Sequence, residues 1–244
     1  MGMFLRYRPR FEQLLTVLGK HPEVEVFDAH IAPPAPLEAL AEAEAFLGVP
    51  MPAAMREFYQ EMNGFFVEWA PRGVEAPSHT GVFGFPDYGQ PPGCINLLPV
   101  EEALSTSWQE DSHVNEIQED HFEQLFGRPR TEEEAERLFD RGACCVDNFS
   151  KYNHGDLVLG PEPLMVVSTD HGADMEASDF LSFELYLELA LSTWGLNRYS
   201  SIGIGWSRKP RRIDAWTERP SLDHIIERMR EQASELTSTL PVSC

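Results

Sequence analysis

Apolar residues recur with helical spacing at the start of the chain, fall into short strand-like runs in its middle, and return to helical spacing near residue 190. This order decides the fold class. Phe11, Leu14, Leu15 and Leu18 fall at i, i+3, i+4 and i+7, and Gly19 ends that helix. A Pro-rich loop at 32–36 follows, then Leu37, Leu40, Ala41 and Leu47 on a second helix stopped by Gly48. Pro52 suits the first turn of a third helix, whose stripe is Met55, Phe58, Tyr59 and Met62, with Asn63-Gly64 as its close. Residues 65–69, 82–85 and 95–98 read as strands, as do 143–149, 156–159 and 164–168. Asn153-His154-Gly155 and Gly160-Pro161 separate the last three with hairpin chemistry. A helix over 179–194 carries Phe180, Phe183, Leu187, Ala190, Leu191 and Trp194 on one face, with Ser178 or Asp179 as its cap. A last helix spans about 221–236. Helices first, hairpins next and a helix after them make an α+β chain with a mainly antiparallel sheet.

Residues 101–140 break the pattern. They hold 13 acids against three bases, and a net −10 is about three times what an even spread of the chain's −21 would place there. Two short helices are expected in this block. One has Ile117, Phe122, Leu125 and Phe126 as its apolar side; the other is capped by Thr131 with Glu134 and buries Leu138 and Phe139. With a pI near 4.6, the chain lacks the basic surface that nucleic acid or anionic lipid would require. A basic protein remains as a partner. No apolar run approaches membrane-spanning length, and no apolar leader with a cleavage site follows the basic start, so a cytoplasmic location is expected. Cys94, Cys144, Cys145 and Cys244 show no paired C-x-x-C spacing, and Cys144 and Cys145 read as buried free thiols in a strand.

Catalytic signatures are sparse. There is no H-E-x-x-H, no G-x-S-x-G, and Gly203-Ile-Gly-Ile-Gly does not match a dinucleotide fingerprint. The most tempting cluster for a divalent cation is Asp170, His171, Asp174 and Glu176, with His154 and Asp156 on the neighbouring hairpin. Its spacing misses the EF-hand loop and shows no recognisable ligand triad, and a polar turn before a capped helix accounts for it. No catalytic residue, metal or cofactor is assigned.

The stretch 37–64 carries a recognisable pattern. A helix with Glu44 ends in Leu47-Gly48, a turn with Met51-Pro52 follows, and a second helix with Phe58 ends in Asn63-Gly64. In the second half come Gly155-Asp156, Val166-Val167, and His171 ahead of a helix. This order resembles the SUKH superfamily, the Smi/Knr-like domains, across about 37–195. The resemblance implies one SUKH-like core at 37–195 with an acidic insertion at about 100–140. An N-terminal helix and Pro-rich linker at 1–36 would precede it, and a C-terminal helical extension at 196–244 would follow. The helices at 37–48 and 52–62 should then pair against a sheet that includes 143–168, with the helix at 179–194 covering the same sheet. Glu44, Gly48, Pro52, Phe58, Asn63, Gly64, Gly155 and Asp156 are the motif positions, and their chemistry is structural.

The resemblance also implies binding rather than catalysis. It suggests an immunity protein of a polymorphic toxin system, blocking a cognate secreted toxin that is basic and of nuclease type. Glu110, Asp111, Glu116, Glu119, Asp120 and Glu123 flank the apolar side of the first short helix and are the expected contacts. Two alternatives stay open: a Smi/Knr-like regulatory scaffold, and a metal-dependent hydrolase using His154, Asp156, Asp170 and His171.

Overall fold

The computed structural model describes residues 6–74, 81–84, 93–104, 122–134, 143–150, 153–158, 162–169, 180–196, 221–227 and 229–230. In chain order these form helix α1 (Arg8–Lys20), strand β1 (Val24–Ile31), helices α2 (Leu37–Leu47) and α3 (Ala53–Glu61), and strands β2 (Phe65–Pro71) and β3 (Gly93–Leu97). There follow the single-turn α4 (Val100–Ala103), strands β4 (Ala143–Asp147), β5 (Asn153–Val158) and β6 (Leu164–Thr169), and helix α5 (Phe183–Ser192). Helical turns also occur at 122–126, 132–134 and 222–227. The six strands form one sheet in the order β1-β2-β3-β4-β5-β6, with every neighbouring pair antiparallel. An α+β class with an antiparallel sheet is what the helix and strand patterns predict.

One face of the sheet takes the helices. Phe11 of α1 stacks tilted on Phe65 of β2 at 4.4 Å between ring centroids. Phe58 of α3 meets the rings of Tyr7, Phe11, Tyr59 and Phe183 edge-on. Phe183 belongs to α5, so one α3 side chain joins three helices. The opposite face carries Phe66, which packs against Phe83. Further along it lies a smaller cluster of Ala143, Val158, Val166 and Phe180, with Leu125 against it. Leu222, Ile225 and Ile226, from the segment beyond α5, are buried in the main core.

The amide hydrogens at the start of α1 have no cap from the helix's own sequence. Glu61, 53 residues away at the end of α3, serves them instead: its Oε2 accepts from the amides of Tyr7 and Arg8, both at 2.8 Å. The buried carboxyl thus ties the two helices through their ends.

Several expectations change. Strand β1 has no counterpart in the sequence reading, because a bulge between Val26 and Asp28 breaks its alternation and it lies at the sheet edge. Residues 82–83 form a turn rather than a strand, with Gly81 and Phe83 both at positive φ. Asn153-His154-Gly155 is not a hairpin turn: these residues lie inside β5, opposite Thr169, Ser168 and Val167. Helix α5 begins at Phe183, capped by the Ser182 hydroxyl, which accepts from the Leu185 amide at 3.3 Å. Leu181 just before it bridges to Met165 as extended chain. The expected cap residues Ser178 and Asp179 lie outside the described residues, as do Ile117, Leu138 and Phe139.

Candidate partner-binding surface

The motif residues form the frame from which the acidic block departs. Gly48 ends α2 at φ 68°, its amide bonded to the Glu44 carbonyl at 3.0 Å. The Glu44 carboxyl reaches across the turn to Arg56 of α3 and accepts from the Met51 amide at 3.3 Å. The Arg56 hydrogen bond, then the Met51 amide, hold that carboxyl below its ordinary range. Pro52 immediately precedes α3, and Phe58 sits fully buried in the ring cluster.

Asn63 is the link to the block. Its Oδ1 accepts from the Val100 amide at 2.8 Å, and its Nδ2 donates to Glu101 Oε2 at 2.8 Å. The side chain therefore caps α4, whose preceding residue Pro99 offers none. Gly64 beside it adopts φ +111°, and a Cβ there would press on Phe83 and on the Leu97 carbonyl. Asn63-Gly64 closes α3 and also anchors the helix where the acidic stretch begins.

Gly155 has a different reason. The Tyr186 hydroxyl of α5 lies over its Cα, where a Cβ would fall. That hydroxyl donates to Asp147 Oδ2 at 2.8 Å, and Asp147 Oδ1 accepts from the Asn96 amide at 2.9 Å. Asp147 and Tyr186 are buried, and neither was singled out from the sequence. The signal available was a lone acid closing the apolar run Ala143–Asp147. Glu61 gave no such local sign, since its partners lie far away in the chain.

Asp156 is buried on the face away from the helices, opposite Cys145 and Val166. Burial first, and then its charge, push the Cys144 thiol up to about 12 and the Cys145 thiol well above its ordinary value. His154 shares that face two residues before it. Asp170, His171, Asp174 and Glu176 lie outside the described residues, as does Cys244. Among the described residues no three His, Cys, Asp or Glu side chains gather to hold a metal ion.

Of the expected contact residues, Glu123 is described. It is exposed on the turn 122–126, whose Phe122 is buried against Phe126, with the Arg128 guanidinium 5.5 Å from the Phe122 ring centroid. Glu110, Asp111, Glu116, Glu119 and Asp120 lie outside the described residues. Glu101, Glu102, Glu132 and Glu133 of the same block are exposed. Partial desolvation by the surrounding chain, and then the charge of Glu101, raise the pKa of the otherwise exposed Glu102 carboxyl. The expected capping box at 131–134 forms: the Glu134 amide donates to Thr131 Oγ1 at 3.2 Å, and the Thr131 amide to Glu134 Oε2 at 3.0 Å. With α4 beside α2, the exposed Glu38 and Glu42 continue the acidic character onto the helical layer.

Comparison with known families places this frame. The profile of the SMI1 / KNR4 family (SUKH-1) matches residues 34–175, more than half of the chain. The chain belongs to the SMI1 / KNR4 family. The family match begins in the Pro-rich loop and runs beyond β6, so it includes Asn63, the acidic block, Asp147 and Gly155. Helix α1, strand β1 and helix α5 lie outside the matched interval but share the sheet and core of this SUKH-1 chain. A search of curated proteins finds no match. Among the described residues no helix is long and apolar enough to cross a membrane.

Proposed function

We propose that this SUKH-1 protein is an immunity protein: a cytoplasmic, non-enzymatic binder that neutralises a cognate secreted toxin. The toxin would be a basic domain of nuclease type, and the acidic block 101–140 would cover its phosphate-attracting surface. The observation that carries the reading is the concentration of net −10 in forty residues, whose first two acids, Glu101 and Glu102, lie on the helical turn that Asn63 caps. Like charges packed this densely repel one another, and a basic partner relieves that repulsion. Opposite fields also speed encounter and discriminate among partners. Glu110, Asp111, Glu116, Glu119, Asp120 and Glu123 are the proposed contacts.

The test is neutralisation in cells. A toxin domain encoded beside this gene is expressed with and without the protein. Growth restored by the wild type, and weakened when the six contacts become Gln or Asn, supports the reading. Unrestored growth with a folded wild-type protein overturns it.

A further inference from the structure

The sheet is unevenly joined. Strands β1 and β2 share seven ladder pairs and β5 and β6 share six, whereas β3 and β4 share one, Leu97 with Asp147. The two strands are offset, so they overlap only around 96–98 and 146–148. Three backbone amides cross there: Leu98 to the Val146 carbonyl at 2.9 Å, Asn148 to the Asn96 carbonyl at 3.0 Å, and Asn96 to the Asp147 side chain at 2.9 Å. One of the three therefore depends on a carboxyl in place of a backbone carbonyl. At Cys94, two residues along β3, the amide donates instead to the Gly195 carbonyl at 2.6 Å, in the turn after α5.

Helix α5 lies across this seam and is tied to both sides. Before it, Leu181 exchanges backbone hydrogen bonds of 2.8 and 2.7 Å with Met165 of β6. After it, the Trp194 carbonyl accepts from Trp69 Nε1 of β2 at 2.7 Å, and Gly195 holds β3. Between those anchors, Tyr186 reaches down to Asp147 at the seam itself.

We propose that the sheet consists of two three-stranded halves that part at the β3–β4 seam, with α5 as a clasp and the Tyr186–Asp147 hydrogen bond as its latch. The chain from β3 to β4 leaves at one end through α4, which packs on α2 and on β4, and Leu104, and returns at the other end at Ala143. Opening would shift those ends relative to each other and so alter the acidic surface. This consequence rests on the partner-binding reading; the latch does not, and it is tested on the protein alone.

The test is native-state hydrogen exchange of the full chain, resolved by residue, in wild type and Tyr186→Phe. In the wild type, the amides of Asn96, Leu98 and Asn148 should exchange together, faster than those bonded across β1–β2 and β5–β6. They should do so through an opening only weakly sensitive to urea. Tyr186→Phe removes a hydroxyl bonded to a carboxyl and should speed these three amides by about tenfold; ladder amides that exchange only by global unfolding lose the same bond and should speed by no more than that. Seam amides protected as strongly as the rest of the sheet overturn the proposal. So does a variant that leaves the three seam amides at their wild-type rates. If Tyr186→Phe fails to fold, the wild-type comparison decides alone.

Discussion

Replacing Phe58 by alanine removes the side chain that three helices share. The ring is fully buried, with the centroids of Tyr7, Phe11, Tyr59 and Phe183 between 5.2 and 6.1 Å away, all edge-on. A buried Phe→Ala exchange costs about 3–5 kcal/mol in lost transfer energy and residual cavity. The upper part of that range applies here. Its four ring partners sit on α3, on α5 and on α1 with its N-cap residue Tyr7, which Glu61 and the α5 anchors hold in place, so collapse onto the void is limited. Edge-on ring pairs add about 0.5–1.5 kcal/mol each beyond area, though not additively. A loss of ~4 kcal/mol is a large share of the roughly 5–15 kcal/mol that holds a domain together. With an m-value of about 3 kcal/mol/M, the urea midpoint should fall by roughly 1.3 M. Equilibrium unfolding followed by tryptophan fluorescence and by circular dichroism measures it. Leu37→Ala is the control, because Leu37 is 76% exposed and should change stability by less than about 0.5 kcal/mol. A Phe58→Ala loss below about 1 kcal/mol, or one no larger than the control, would refute the claim that this ring organises the core.

Gly155→Ala should destabilise by about 1–3 kcal/mol by driving the Tyr186 hydroxyl off Asp147, seen as a lower thermal midpoint; a stabilised protein would show that the close approach is absent. Cys94, Cys144 and Cys145 should resist alkylation in the native state at pH 8 and react on unfolding. With the Cys144 thiol pushed up to about 12 by burial, its thiolate fraction is on the order of one in ten thousand, and rapid native labelling would contradict this. The Glu134 carboxyl, lowered to about 2 chiefly by its hydrogen bond with Arg128 and then by the Thr131 amide, should titrate near that value by carbon NMR. Because its folded value is depressed, its stabilising contribution is complete above about pH 4.5 and is lost as pH falls through about 2; a midpoint near 4.5 would mean that neither the Arg128 pair nor the capping box is formed in solution.

The helical part of the fold was legible because burial there follows local spacing. Leu40 and Leu47, or Met55, Phe58 and Tyr59, each announce a face within one or two turns, and Gly48 ends a helix by its own backbone preference. What was not legible depends on residues distant in the chain. Gly155 reads as a turn glycine when seen locally, yet it is small because Tyr186, from a different element, lies on it. The cap of α1 comes from Glu61, and the cap of α4 from Asn63. Strand β1 hides because an edge strand with a bulge buries little beyond Val24 and so keeps no clean alternation. The frame of the proposed surface could be read from Glu44 to Gly64 as a family pattern, but its physical meaning, a capped α4 at the root of the acidic block, needed the tertiary contact.

If the acidic block draws in a basic partner, the kinetics of association report it. The rate constant for binding the cognate toxin domain should fall steeply as salt is raised, since screening shortens the field to about 8 Å at physiological ionic strength. Changing Glu110, Asp111, Glu116, Glu119, Asp120 and Glu123 to Gln or Asn should lower that rate and flatten its salt dependence while leaving the unfolding midpoint unchanged. An association rate indifferent both to salt and to the six substitutions would mean that the acidic block does not draw the partner in.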